Sequence, residues 1–301
     1  MTDSTQKPVA APTALASPSK PTLRLPKGAC DAHFHVMGPG TRFPYAADRK
    51  IVPADAPKDQ LFALHAFLGI DHGVIVHTVV HGLDNAVTED ALADTDGAYR
   101  GVARVPIDID NAELKRLDVA GFRGVRFHYM EHLGAGTPIA DVVAFGKRLA
   151  DIGWHLQIHM AAERIAELSA AIKSSPVPVM IDHMGRVNAS RGLEQKPFQS
   201  LLRLMDDTNV WVKVSGCDRI TRLGPPYADA VPFARKLVAE FGDRCVWGTD
   251  WPHPSHQGPI PDDGVLVDII AEIAPTPQAR QALLVDNPQR FYDFGRPAGR
   301  A

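Results

Sequence analysis

Between Cys30 and Pro252 the chain repeats one pattern eight times: a short apolar, β-branched run, then a longer amphipathic stretch. The runs are CDAHFHV (30–36), HGVIVHT (72–78), RGVARVP (100–106), FRGVRFH (122–128), HLQIHM (155–160), VPVMIDH (177–183), VWVKVSG (210–216) and CVWGTDWP (245–252). Segments such as DQLFALHAFLG, IADVVAFGKRLADI and FQSLLRLMDD, with helical spacing of their apolar residues, lie between them. Strands alternating with helices of this length predict βα units and a parallel sheet, an α/β fold. Eight units in about 270 residues match a (β/α)8 barrel. The competing open doubly wound sheet usually carries a Gly-rich phosphate loop after an early strand, and this chain has none.

A barrel of this kind does its chemistry at the C-terminal ends of its strands. The predicted strands deliver His33 and His35 there, then His77 with His81 beyond it, Arg126 and His128, His159, Asp182 and His183, Lys213 and Ser215 followed by Arg219, and Asp250 followed by His253. His33 and His35 are two apart, so on an extended strand they share one face. Two ordinary strand histidines would give the same pair. The convergence of the other strand ends favours two neutral imidazoles holding one divalent metal. Gly38-Pro39-Gly40 then releases the chain into a loop and leaves the metal open. His159, ending the fifth strand, is the expected third ligand, and Asp250 the fourth. His183 is read as a ligand or proton shuttle. Asp182, its neighbour, is expected to point away from the barrel and to be structural. Arg126 and Arg219 are the cations expected in the pocket, where a guanidinium implies a carboxylate or sulfonate on the substrate. Arg186 could serve there or on the surface. His128, Tyr129, His132 and His253 are candidates for the pocket wall, with His128 and His253 placed at the substrate.

The remaining composition narrows the class. The 301 residues are 45% hydrophobic, enough for one large domain. A net charge of −3 excludes an electrostatic footprint for nucleic acid or an anionic membrane. No apolar stretch approaches a membrane span. Cys30, Cys217 and Cys245 are odd in number and far apart, so a reducing cytoplasm is expected. Residues 1–26, rich in Pro, Ser, Thr and Ala, are expected to be a disordered arm or to pack on a neighbouring subunit. The barrel is expected over 27–294 and a tail over 295–301. A homo-oligomer is left open.

Together, DAHFH, QIHM, DHMGR and WGTDWPHP resemble the amidohydrolase superfamily, in its amidohydrolase-related branch, over residues 30–294. Stretches such as VMGPGTRFPYA, HGLDNAVTEDAL and LLVDNPQRFY are similar to the lactonases of that branch that act on 4-sulfomuconolactone and 2-pyrone-4,6-dicarboxylate. The resemblance implies a distorted (β/α)8 TIM barrel and hydrolysis of an anionic lactone in aromatic-compound degradation. It implies a metal centre of His33, His35, His159 and Asp250, with His183 beside it and Arg126 and Arg219 for the substrate anion. Zinc is the expected ion, with manganese the alternative. Two departures from the pyrone lactonase pattern matter. His159 stands where those enzymes carry a tyrosine, and Glu131-His132 stand where they carry a further arginine. Both favour the sulfomuconolactone type over the dicarboxylate. Decarboxylation or lactone isomerisation on the same barrel stays open, and a non-catalytic binder is disfavoured by the full ligand set.

Overall fold

In the computed structural model, which describes residues 13–134 and 136–295, all eight runs form strands. They are β1 (Cys30–Phe34), β2 (His72–Val76), β3 (Tyr99–Ala103), β4 (Phe122–Tyr129), β5 (His155–Met160), β6 (Val179–Ile181), β7 (Val210–Lys213) and β8 (Cys245–Val246). Each pairs in parallel with the next, in the order β1 to β8. Backbone bonds from the segment after β8 close the ring. Ala32 N donates to Trp247 O at 2.8 Å, Asp250 N to His33 O at 2.8 Å, and His35 N to Trp251 O at 2.7 Å.

Helices cover the outside: α1 (Lys58–Leu68), α2 (Ala86–Ala93), α3 (Asn111–Val119), α4 (Ile139–Ala150), α5 (Ile165–Lys173), α6 (Lys196–Met205), the short α7 (Cys217–Ile220) and α8 (Val231–Phe241). Their starts and faces follow from sequence. Asp110 caps α3 by accepting from Ala112 N at 2.6 Å. α6 buries Phe198, Leu201, Leu204 and Met205, a helical stripe facing the sheet. Each such side chain contributes about 1.5–3 kcal/mol of burial. Shorter helical turns across residues 263–292 complete the wall. No helix among the described residues is long and apolar enough to cross a membrane.

The barrel interior is layered. Cys30, Val74, Val76, Val102, Met180, Trp211 and Val246 form an inner apolar cluster, joined by Phe291, Tyr292 and Phe294 of the closing segment. Polar side chains gather at the opposite, C-terminal ends. The N-terminal stretch departs from the expectation of disorder over its described part. Ser19 N donates to Asp262 Oδ1 at 3.0 Å, and Thr22 N and Leu23 N donate to Asp268 Oδ1 at 2.8 Å. Ala14, Leu23 and Leu25 pack on the core, so residues 13–26 lie along their own barrel. The rest of that arm (1–12) and nearly all of the predicted tail (296–301) fall outside the described residues.

The closing seam is tightly packed. Fully buried Asp31 accepts from His33 N (3.0 Å), Thr249 N (3.1 Å) and Thr249 Oγ1 (2.6 Å). Gly248 runs so close to β1 that an added methyl would sit 2.5 Å from His33 N. Gly248→Ala is therefore expected to cost about 1–3 kcal/mol through overpacking. Thermal unfolding should move down by several degrees, and an unchanged midpoint would show that the seam relaxes freely.

Candidate active site

β1 places its two histidines by breaking strict alternation. Its pairing with β2 slips between Asp31 and Phe34. Asp31 turns outward to the seam, Phe34 packs against His65 and Tyr99, and His33 and His35 both turn to Asp250. His33 Nε2 lies 3.6 Å and His35 Nε2 3.1 Å from Asp250 Oδ1. His33, His35 and Asp250 each offer a ligand atom within 4.8 Å of the others, and His33, Asp182 and His183 form a second such group.

The residues fit a cation. His35 Nδ1 lies 2.6 Å from Val76 O, which can only accept, so Nδ1 carries the hydrogen. Nε2 then faces the Asp250 carboxylate at 3.1 Å, an imidazole nitrogen and a carboxylate oxygen set together as a shared positive centre would need them. His33 Nε2 is buried without a hydrogen-bond partner beside the same oxygen. Burial, then Lys213, holds the His33 ring well below the usual imidazole range, which keeps it neutral and able to ligate.

Asp182 corrects the expectation. It shares the inward parity of Met180, while Val179 and Ile181 pack outward under the helices. Asp182 is fully buried and accepts from Arg126 Nε at 2.8 Å; its other oxygen lies 3.3 Å from His33 Nδ1 and 3.8 Å from Lys213 Nζ. Burial alone would raise its carboxyl, but Arg126, His33 and Lys213 hold it well below the usual range. His183 also reaches the site because the chain leaves the strand there. His183, Met184, Gly185 and Arg186 all have φ between 48° and 63°, a left-handed run that brings His183 inward beside Asp182. His183 Nδ1 is 2.9 Å from Ser215 Oγ and Nε2 is 3.7 Å from Asp250 Oδ2. Burial is the main reason its pKa falls to about 4.

Arg219 is in the site but not free. Its Nε donates to Asp250 Oδ2 at 2.7 Å, Nη2 lies 2.6 Å from the same oxygen, and Nη1 donates to Pro254 O. Burial opposes the ionised Asp250, yet Arg219 and then His183 keep its carboxyl well below the usual range. The guanidinium expected to bind substrate is thus committed to the carboxylate. Arg186 lines a cavity of about 550 Å³ beside it, and among the described residues it forms no ion pair. Burial, then Arg219, lowers the Arg186 pKa to about 10.

Other expected residues sit differently. His159 is outside both ligand groups; its Nδ1 lies 3.2 Å from His128 Nδ1. Burial, then Arg126, holds both rings below the usual imidazole range, so one donates and the other accepts as neutral rings. His253 is fully buried with Nε2 3.1 Å from Asp263 Oδ1, turned to a carboxylate rather than to the pocket. Tyr129 faces the outer core and His132 is exposed. His77 and His81 engage Thr88 Oγ1 and Gly38 N. Arg126 and His128 line a cavity of about 450 Å³ on the β3–β4 side. Sequence reasoning passed over Arg104 in that wall and gave no role to Lys213. The first continues the inward parity of Arg100 and Val102, a signal that was available. The second donates to Ala32 O (2.8 Å) and Gln157 Oε1 (3.0 Å) and lies 3.2 Å from His33 Nδ1.

The amidohydrolase family pattern matches residues 30–294. The chain belongs to the amidohydrolase family. It is 46% identical to a 2-pyrone-4,6-dicarboxylate hydrolase of Comamonas testosteroni, over 92% of this chain and 94% of that one. It is 39% identical to a 4-sulfomuconolactone hydrolase of Rhizobium radiobacter, over 95% and 96%. A solved structure from Pseudomonas putida, provisionally a 2-pyrone-4,6-dicarboxylic acid hydrolase, superposes with a TM-score of 0.79 at 33% identity, covering 90% of this chain and all of that one. The barrel is therefore that of an amidohydrolase, and it carries His/Asp groups able to hold a metal ion.

The buried histidines predict acid lability. His77 and His128 sit well below the ordinary 6.5, and His155, buried against Phe291 and Tyr292, falls to about 3. Below pH 6.5 the unfolded chain binds protons that the folded chain refuses, so stability falls as pH drops. The unfolding temperature should be level between about pH 7 and 8 and decline steadily from about pH 6.5 toward 4. A level profile down to pH 5 would mean that these rings titrate normally in the fold.

Proposed function

We propose that this amidohydrolase is a metal-dependent lactonase that opens the ring of a small anionic lactone of the 4-sulfomuconolactone or 2-pyrone-4,6-dicarboxylate kind. The observation that carries the reading is the His33–His35–Asp250 group, set between two cavities whose walls hold Arg126 and Arg186. Its close relatives act on lactones that bear acidic groups. His33, His35 and Asp250 would hold one divalent ion, zinc by the expectation from its ligand types. Such an ion supplies Lewis acidity, polarising a carbonyl and easing the ionisation of water near neutral pH.

The protein groups divide the remaining work. Asp250 takes the proton of the attacking water. Arg219 holds Asp250 as the carboxylate by binding Oδ2, which leaves the oxygen facing the histidines to take that proton. The water oxygen adds to the lactone carbonyl carbon, the acyl C–O bond of the ring breaks, and the ring oxygen leaves with the proton returned by Asp250. His183, neutral at pH 7 and turned by Ser215, presents Nε2 as a hydrogen-bond donor to an oxygen of the reacting group. Arg126 and Arg186 hold the acidic substituents and fix the carbonyl against the nucleophile. Arg219 positions Asp250. The three cysteines are free and buried, in keeping with a cytoplasmic enzyme.

The test is bound metal by elemental analysis, with hydrolysis of both lactones before and after chelation. About one zinc or manganese per chain is expected, with activity lost on stripping and regained on addition. Asp250→Asn should lower kcat by about 10²–10⁴-fold with far-UV circular dichroism unchanged. Near-normal turnover in that variant would remove Asp250 as the base, and turnover indifferent to chelation would remove the metal.

A further inference from the structure

The cavity on the β3–β4 side contains a cation that the reading above leaves unused. Arg104 follows β3 and lines this cavity of about 450 Å³ together with Arg126, His128, Arg49 and Lys50; Asp48 is the one carboxylate in its wall. Arg104 is built in. Its backbone N accepts direction from Asn85 by donating to Oδ1 (3.1 Å), Asn85 Nδ2 donates back to Arg104 O (2.9 Å), and Arg104 Nη1 donates to Gly82 O (2.7 Å). Among the described residues it forms no ion pair. Arg126 is fixed from behind by Asp182 through Nε, and its terminal nitrogens have no protein acceptor among the described residues. Burial, then the Arg126 charge, lowers the Arg104 pKa, as expected for two guanidinium groups facing one space. Asp48 offsets part of the Arg104 charge but forms an ion pair with neither guanidinium among the described residues, and two partly desolvated cations sharing one space remain costly unless an anion joins them.

We propose that Arg104 is a specificity-determining residue: with Arg126 it forms a two-guanidinium subsite for one oxyanion, carboxylate or sulfonate, of the lactone. Planar forks give paired donors suited to such a group. The inference rests on the lactonase reading and extends it. The loop after β4 carries Glu131 and His132 where the resemblance gives the pyrone lactonases a further arginine, and Leu133 of that loop borders this cavity. Arg104 brings a cation to the same cavity from the neighbouring strand. The substrate would then carry an acidic group on this side in addition to one near Arg186.

The experiment uses 3-sulfobenzoate, a ring with one sulfonate and one carboxylate that cannot be hydrolysed, titrated by calorimetry into the metal-loaded enzyme. Arg104→Met should weaken binding at least tenfold and raise KM for the anionic lactone by a similar factor, with kcat changed less than threefold. Arg104→Lys should recover part of the loss, since charge returns without the fork. Equal probe affinity in wild type and Arg104→Met would overturn the proposal. If Arg104→Met does not fold, butanedione modification of the wild type with peptide mapping decides: protection of Arg104 by 3-sulfobenzoate supports the subsite, and its absence overturns it. Failure of the lactonase reading looks different: the wild type binds the probe through Arg104 but turns over neither lactone. Benzoate and benzenesulfonate in the same titration separate the two oxyanions.

Discussion

Everything at the rim depends on the seam where β1 meets the segment after β8. Among the described residues three backbone bonds cross it near the ligands, and two of them involve the residues that matter, Asp250 N to His33 O and His35 N to Trp251 O. Asp31 completes the closure by binding Thr249 from below through both backbone and hydroxyl. A barrel closed by eight regular strands would not need such a carboxylate. Here β8 has two residues, and the seam must hold a strand end and a loop in register. The seam thus converts sequence neighbours 217 positions apart into a ligand group with atoms under 5 Å from each other, counting from His33 to Asp250.

Above the seam the charges form two parallel chains. One runs Arg126, Asp182, His33; the other runs Arg219, Asp250, His35. In each a guanidinium fixes a carboxylate, and the carboxylate faces an imidazole. Their consequences differ. Asp182 is fully enclosed and shared with Lys213, so it orients His33 and cannot meet a substrate. Asp250 keeps Oδ1 toward the histidines and Oδ2 toward Arg219, so one oxygen is anchored and one is available. A buried pair of this kind is weak as a stabiliser, because desolvation offsets attraction, but removing one partner leaves a stranded charge. The arrangement therefore fixes geometry more than it adds stability.

The eight strands were legible because apolar runs and amphipathic helices alternate without interruption, and each β–α unit repeats the same local logic. His33, His35, Asp250 and His183 could be assigned to one rim from sequence because they end or follow strands, and Arg126 because it interrupts the apolar run of β4. Two causes account for the misplacements: period-2 counting fails where a strand stops, and tertiary partners leave no local signal. Asp182 was counted outward from His183, although His183 lies past the strand in a left-handed turn and Asp182 still obeys the strand. His253 reads as rim chemistry from WPHP, yet its partner Asp263 lies ten residues on, and nothing local announces that bond. Arg219 could be placed in the pocket but its partner could not, since an ion pair across 31 residues is a tertiary fact.

Charge balance at the rim gives the functional reading its direction. Lys213 and Arg126 share Asp182, and Arg219 takes Asp250, while Arg104 and Arg186 form no ion pair among the described residues. A divalent ion beside His33 and His35 would add to that positive surplus. The chain as a whole carries −3, so the rim is a positive concavity in a mildly negative body. Such a concavity draws small anions and discriminates against cations and neutral rings before any shape is read. With cations on both sides of the ligand group, a lactone acidic at two positions neutralises the surplus at both ends and holds its carbonyl in the middle. A neutral lactone leaves both guanidinium groups desolvated and unpaired, and loses affinity for that reason rather than for want of contacts.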